Sequence, residues 1–113
     1  QLPRLEYDFG LANCEPGART SAFQWDYPNG WAPLHFIAVH GLMRYGYHAE
    51  AERIARKDIR AIDRTFAETG TLWEKYNVTD GTLNVTDEYQ MPPMLGWTAG
   101  VYVDFAALLA GNG

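Results

Sequence analysis

Apolar residues recur at steps of three and four in the middle of the chain, and this pattern predicts a pair of helices. The first helix extends from Ala32 to about Tyr45 with one apolar face, and Gly46 ends it. The second extends from His48 to Thr69, where an apolar stripe is flanked by charged residues. Because about one to three residues separate the two helices, they should form an antiparallel hairpin with a charged outer helix.

A third helix is predicted near the end of the chain, from Ala99 to Ala110, with Thr98 or a neighbouring residue as its cap. Its residues are apolar on nearly all sides, so the helix must be buried on several of them. The 113 residues offer little to bury it with. The apolar patch that would remain argues against an independent three-helix protein.

The segment between the second and third helices has no helical period. Gly70 closes the second helix, and residues 71–95 follow it with many aromatic residues and two prolines. A long segment of this composition is typical of an ordered functional loop. The sequence Asn-Val-Thr-Asp occurs at 77–80 and again at 84–87, around Gly81, which is compatible with a small hairpin or with coincidence. Both copies fit the glycosylation sequon, which has meaning only in a eukaryotic secretory protein.

A turn between two tryptophans, directly before the first helix, is the clearest candidate for chemistry. The Pro-Asn-Gly sequence at 28–30 predicts a tight turn. Trp25 can lie flat against a sugar or a nucleobase, with Gln24 and Asp26 as partners for hydroxyls or amines. Trp31 is expected to pack under the helix that it precedes. On these residues alone, two core tryptophans around a turn are an equal alternative.

The ten residues at 24–33, QWDYPNGWAP, resemble the signature of the trehalases, and further segments match this family in the same order. They are Glu74-Lys75-Tyr76, and Glu88-Tyr89 followed by Gly96-Trp97-Thr98. Trehalases are inverting glycoside hydrolases with an (α/α)6 barrel, so the resemblance implies an all-α fold. The chain is much shorter than six helical hairpins. We therefore expect residues 1–113 to form the C-terminal helices of one catalytic domain.

The resemblance also implies roles for individual residues. Glu74 matches the general base, and Glu88 matches a residue that contacts the sugar. Gln24, Trp25 and Asp26 complete the expected substrate contacts. Inversion requires a carboxylic acid opposite the base. In the family this acid and the arginines that hold the sugars lie upstream, and nothing in this chain corresponds to them.

The residues around Glu74 support a role for it without the resemblance. It stands between Trp73 and Tyr76, whose rings can exclude bulk water, while Lys75 is expected to stay in solvent. A base must be ionised at neutral pH, so some hydrogen-bond donor has to hold this carboxylate in its charged form. An exposed loop glutamate beside a lysine is the alternative.

Departures from the family pattern leave the substrate open. The family has a glycine-rich run before its Glu-Tyr element, whereas this chain has Asn-Val-Thr-Asp at 84–87. A related inverting α-glucosidase or a mannosylglycerate-type hydrolase is therefore the alternative within the same chemistry, and a non-catalytic carbohydrate-binding remnant is the alternative from another class. For a trehalase, the partners would be the disaccharide trehalose and the remainder of the barrel, without which we expect no activity.

Composition narrows the partners further. The net charge of −5 argues against nucleic acid and anionic membranes, which are bound by basic patches. The one cysteine, Cys14, cannot form an intramolecular disulfide. The three histidines lack metal-ligand spacing with a nearby acid, so we predict no metal and no cofactor. Residues 1–23 are expected to be an irregular lead-in, and the compartment stays open between periplasmic, secreted and cytoplasmic.

Overall fold

The computed structural model of the protein describes residues 2–16, 27–85, 90–93 and 96–111. Two helices form its frame, α2 (Ala32–Arg44) and α3 (His48–Thr69), which pack against each other as the predicted hairpin. The bounds of α3 are those that the sequence predicts. It ends at Gly70, whose φ of 73° is left-handed and whose N–H donates to the Phe66 carbonyl at 2.8 Å.

The last helix, α4 (Trp97–Gly111), contacts both helices of the hairpin and begins two residues earlier than predicted. The three helices share an aliphatic and aromatic core, whose fully buried members include Val39, Ala51, Ile54, Ala55 and Phe105. A predominantly helical architecture is therefore confirmed.

Each of the three long helices exposes large apolar residues that the described part of the chain does not cover. Val103 on α4 and Ile37 on α2 are each 66% exposed, and Phe66 on α3 is 50% exposed. Within α4 only Thr98, Val101 and Phe105 are buried, so the burial on several sides that its composition demands is incomplete. No helix in the described part of the chain is long and apolar enough to cross a membrane.

The N-terminal residues are more regular than the sequence indicates. A short helix α1 (Leu2–Leu5) leads into an antiparallel pair of two-residue strands, β1 (Glu6–Tyr7) and β2 (Gly10–Leu11). The carboxylate of Glu6 attaches the β1–β2 pair to α3. It accepts hydrogen bonds from Arg53 Nε at 2.7 Å and from Lys57 Nζ at 2.6 Å.

A second antiparallel pair joins the start of α2 to the segment after α3, at the open end of the α2–α3 hairpin. Strand β3 (Asn29–Trp31) immediately precedes α2, and β4 (Lys75–Asn77) follows α3. In register, Asn29 pairs with Asn77, and Trp31 pairs with Lys75. We call this pair the β3–β4 ribbon.

Candidate active site

The β3–β4 ribbon brings together two segments that the sequence analysis treats separately. The turn at 28–30 is largely strand β3, and Glu74 directly precedes β4. The pairing of Trp31 with Lys75 therefore places the residue directly before α2 beside the neighbour of Glu74. Neither strand is long enough to show an alternating pattern, so the sequence contains no local signal for this pairing.

Glu74 and Lys75 form a buried pair. Their residues are 4% and 0% exposed, and Lys75 Nζ donates to Glu74 Oε1 at 2.9 Å. The predicted position of Lys75 in solvent is therefore wrong. The physical reason is the register, because Lys75 lies opposite Trp31 and its ammonium is 5.3 Å from the centre of the Trp31 ring. A buried ammonium needs compensation, and both a carboxylate and an aromatic face supply it here.

Trp31 connects this pair to the last helix. It is 3% exposed, as expected for a residue packed under the helix that it precedes, and its ring meets that of Trp97 edge-on at 5.6 Å. Trp97 belongs to the Gly-Trp-Thr segment at 96–98. Three segments far apart in sequence, those around Trp31, Glu74 and Trp97, thus meet in one place.

His35 links strand β2 to the β3–β4 ribbon through both of its ring nitrogens. Its Nε2 accepts the Leu11 N–H at 2.9 Å, so the ring hydrogen is on Nδ1, which lies 2.9 Å from the Trp31 carbonyl oxygen and donates to it. The ring fills the space beside Gly30, where a Cβ would come within 2.9 Å of His35 Cε1 and within 2.6 Å of the Leu11 carbonyl oxygen. Only glycine fits there, so this histidine has a structural role.

Asp58 of α3 is buried beside His35. Its Oδ1 lies 3.9 Å from His35 Nδ1, and its Oδ2 has no hydrogen-bond partner among the residues that the structure describes. Burial raises the pKa of Asp58, and the neighbouring imidazole acts in the opposite direction. No group of three or more potential metal ligands occurs in the described part of the chain.

The segment after β4 forms a compact turn around Gly81. The Asn77 N–H donates to the Thr82 carbonyl at 2.9 Å, and the Gly81 N–H donates to the Asn77 carbonyl at 2.8 Å. The Asn77 side chain is used inside the turn, because its Nδ2 donates to the Asn84 carbonyl at 2.8 Å. Asn77 is 6% exposed, so the first sequon is inaccessible in the folded chain.

The structure thus describes one of the five predicted site residues. Glu74 lies at the ribbon, buried and hydrogen-bonded. The predicted substrate contacts Gln24, Trp25, Asp26 and Glu88 lie outside the described residues. The residue that sequence reasoning missed is Lys75. Its position opposite Trp31 follows from the pairing register of β3 and β4, for which the sequence has no local signal.

Several known proteins resemble the chain in sequence. A model of the trehalase family matches residues 4–110. The periplasmic trehalase of Xanthomonas oryzae pv. oryzae is 41% identical over 91 residues, which are 80% of this chain and 16% of that protein. The periplasmic trehalase of Pseudomonas aeruginosa is 38% identical over 91 residues, 80% of this chain and 17% of that protein.

A solved structure resembles the chain as well. Neutral trehalase from Saccharomyces cerevisiae superposes with a TM-score of 0.77 at 34% sequence identity, over 95% of this chain and 19% of that chain. The chain therefore spans only a small part of the length of each relative that it matches.

Proposed function

Because the chain belongs to the trehalase family, we propose that it takes part in the hydrolysis of α,α-trehalose to glucose, with Glu74 as the general base. The family and its (α/α)6 fold agree with the resemblance seen in the sequence, and the helices of this chain resemble those of a solved trehalase. The observation that carries the proposal is the β3–β4 ribbon, which buries Glu74 against Lys75 beside Trp31.

The chemistry that we propose is hydrolysis with inversion. Glu74 takes a proton from a water molecule, whose oxygen attacks the anomeric carbon while the bond to the glycosidic oxygen breaks. A carboxylic acid on the opposite face gives its proton to that oxygen, which leaves as the hydroxyl of the second glucose. Glu74 is buried, and a base of this kind needs to reach only one water molecule.

The substrate contacts in this proposal are Gln24, Trp25, Asp26 and Glu88. The indole of Trp25 suits stacking on a sugar ring, and the amide of Gln24 suits hydrogen bonding to sugar hydroxyls. The carboxylates of Asp26 and Glu88 can accept hydrogen bonds from hydroxyl donors. Their support is the family membership together with the order of the matching segments. Tyr27 follows Asp26 directly and leads into β3, so the three contacts at 24–26 are close in sequence to the ribbon.

We further propose that residues 1–113 are the C-terminal part of a single catalytic domain and that the general acid comes from the remainder of the barrel. The apolar residues left uncovered on α2, α3 and α4 support this, because each would be covered by neighbouring helices of a closed barrel. Without these helices the chain should be inactive. We refer to the chain joined to this remainder as the complete catalytic domain.

Glucose release from trehalose by the complete catalytic domain tests the proposal. We expect the Glu74→Gln variant to lose about 10³-fold or more in kcat, because it removes the base and keeps the shape of the side chain. Glu68→Gln is the matched control, since Glu68 is exposed near the end of α3 and should leave kcat unchanged. NMR of the products at early times should show one β-glucose for each trehalose cleaved.

Three results would count against this function. Full activity of Glu74→Gln would remove the assigned role of Glu74. Initial release of α-glucose alone would exclude inversion. Binding of trehalose without hydrolysis would favour the non-catalytic carbohydrate-binding alternative, and preferential cleavage of other α-glucosides would favour a related α-glucosidase.

A further inference from the structure

The residue before Glu74 is held through both of its peptide groups. The Trp73 N–H donates to the Tyr76 hydroxyl at 3.0 Å. The Thr98 hydroxyl donates to the Trp73 carbonyl at 2.7 Å. That carbonyl belongs to the peptide bond between Trp73 and Glu74. The hydrogen bond from Thr98 therefore fixes the orientation of this peptide plane, which includes the backbone nitrogen of Glu74.

The two hydroxyls that hold Trp73 come from rigid elements. Tyr76 is the central residue of β4 and is 2% exposed, and Thr98 is in the first turn of α4 and is 0% exposed. Burial raises the pKa of Tyr76 to about 12, so its hydroxyl stays protonated over the working pH range. A third contact holds the side chain of Trp73, whose indole Nε1 donates to the Thr69 hydroxyl at 3.0 Å.

We propose that Tyr76 and Thr98 are positioning residues for Glu74, acting as a clamp on the Trp73 backbone. The proposal rests on the proposed function, in which Glu74 is the base. Neither hydroxyl needs to touch the sugar. A base must be held to within about half an ångström of its productive position, and loops reach this only when neighbouring groups fix their backbone.

The clamp also explains why the Gly-Trp-Thr segment at 96–98 lies beside the Glu-Lys-Tyr segment. Trp97 packs on Trp31, the last residue of β3, and Thr98 donates to the carbonyl of Trp73, two residues before β4. The first turn of α4 therefore contacts both segments. A purely structural role for these hydroxyls would change the stability of the protein. A positioning role would change kcat in a protein that remains folded.

The experiment measures trehalose hydrolysis by the complete catalytic domain carrying Tyr76→Phe or Thr98→Val. We expect each variant to lower kcat by about 10- to 100-fold and to leave KM within about twofold. Thr98→Ser keeps the hydroxyl and should restore most of the loss. Tyr102→Phe is the matched control, because this tyrosine of α4 also donates a hydrogen bond, to Asp63 Oδ1 at 2.6 Å, and should keep the wild-type kcat.

Amide hydrogen exchange gives a second readout that needs no activity. In the wild-type protein the Trp73 amide should be protected, and in Tyr76→Phe it should exchange at least about tenfold faster. An unprotected Trp73 amide in the folded wild-type protein would overturn the clamp even if both variants failed to fold. Folded variants with wild-type kcat would overturn it as well.

The outcomes separate the two proposals. If the wild-type domain does not cleave trehalose, the proposed function fails and the positioning role fails with it, while hydrogen exchange still reports whether the Trp73 backbone is held. If the wild-type domain is active, Glu74→Gln is inactive and the clamp variants keep full kcat, only the positioning role fails.

Discussion

The two ends of this molecule are built by different physical means. At the helical end, α2, α3 and α4 bury aliphatic and aromatic residues such as Ile54 and Phe105. At the ribbon end, the buried residues include Lys75, His35 and Asp58, each of which needs a partner. Apolar burial tolerates exchange among residues of similar volume, whereas buried charge tolerates little. The candidate active site is at the end where each buried group depends on its neighbour.

Removal of the buried ammonium should have the largest effect. Lys75→Met keeps the unbranched shape and most of the length of the side chain, but it leaves the Glu74 carboxylate buried beside an apolar group. We expect a loss of about 3–5 kcal/mol in the free energy of unfolding, measured by urea denaturation. A similar volume-conserving change at the helical end, Ile54→Leu, should cost less than about 1.5 kcal/mol.

The double variant Glu74→Gln with Lys75→Met supplies the control for this prediction. Because it removes both charges, it should recover much of the lost stability. The comparison between the two ends would fail if Lys75→Met alone were as stable as the wild-type protein.

The same small change should have opposite effects at the two ends. Gly30→Ala at the ribbon places a methyl group against the Leu11 carbonyl oxygen and Val78, and it should cost about 1–3 kcal/mol. Gly41→Ala in the last turn of α2 meets no atom of the described residues within 4 Å, and it should stabilise the chain by about 0.5–1 kcal/mol through helix propensity. Thermal unfolding of the two variants of the chain measures both signs. Equal effects at the two positions would contradict the comparison.

A moderate, pH-dependent effect is predicted for the contact between Glu6 and α3. Hydrogen bonds from Arg53 and Lys57, together with their charges, outweigh the opposing effect of burial and lower the pKa of Glu6 from 4.5 to about 2. A lowered pKa stabilises the folded state above the unfolded pKa, and this contribution is lost as the pH falls from about 4.5 to 2. Because Arg53 is half-exposed, we expect Glu6→Gln to lose only about 1–2 kcal/mol at pH 7.

Urea denaturation at several pH values checks this prediction. The gap in stability between the wild-type protein and Glu6→Gln should close on acidification below about pH 4.5. Glu68→Gln removes an exposed carboxylate of α3 and should show a gap of less than about 0.5 kcal/mol at every pH. A gap for Glu6→Gln that did not depend on pH would contradict the ion pair as its cause.

Sequence reasoning performs well at the helical end. The helix at 48–69 is predicted with the right bounds, because a long amphipathic pattern followed by a glycine contains its own start and stop signals. The uncovered face of α4 is also foreseeable, since its residues are apolar on nearly all sides. The local pattern decides these features, and tertiary contacts only confirm them.

The ribbon end shows why the remainder could not be predicted. The strands β3 and β4 have three residues each, so no alternation identifies them, and their pairing depends on how the helices between them fold back. The charge of Lys75 predicts a position in solvent, whereas its pairing with Trp31 places it in the interior. Resemblance to a family points to Glu74 as a candidate, but it does not reveal that the hydroxyls of Tyr76 and Thr98 bond the backbone of Trp73, the residue before it.

The two strands of the ribbon flank the α2–α3 hairpin in sequence, and this arrangement has a consequence for the order of folding. Strands that are distant in sequence pair slowly on an open chain, because closing the loop between them costs conformational entropy. Once the hairpin has folded, β3 and β4 are already neighbours and little of that loss remains. We therefore expect the surroundings of Glu74 to form last, and any opening of the hairpin to dismantle them first.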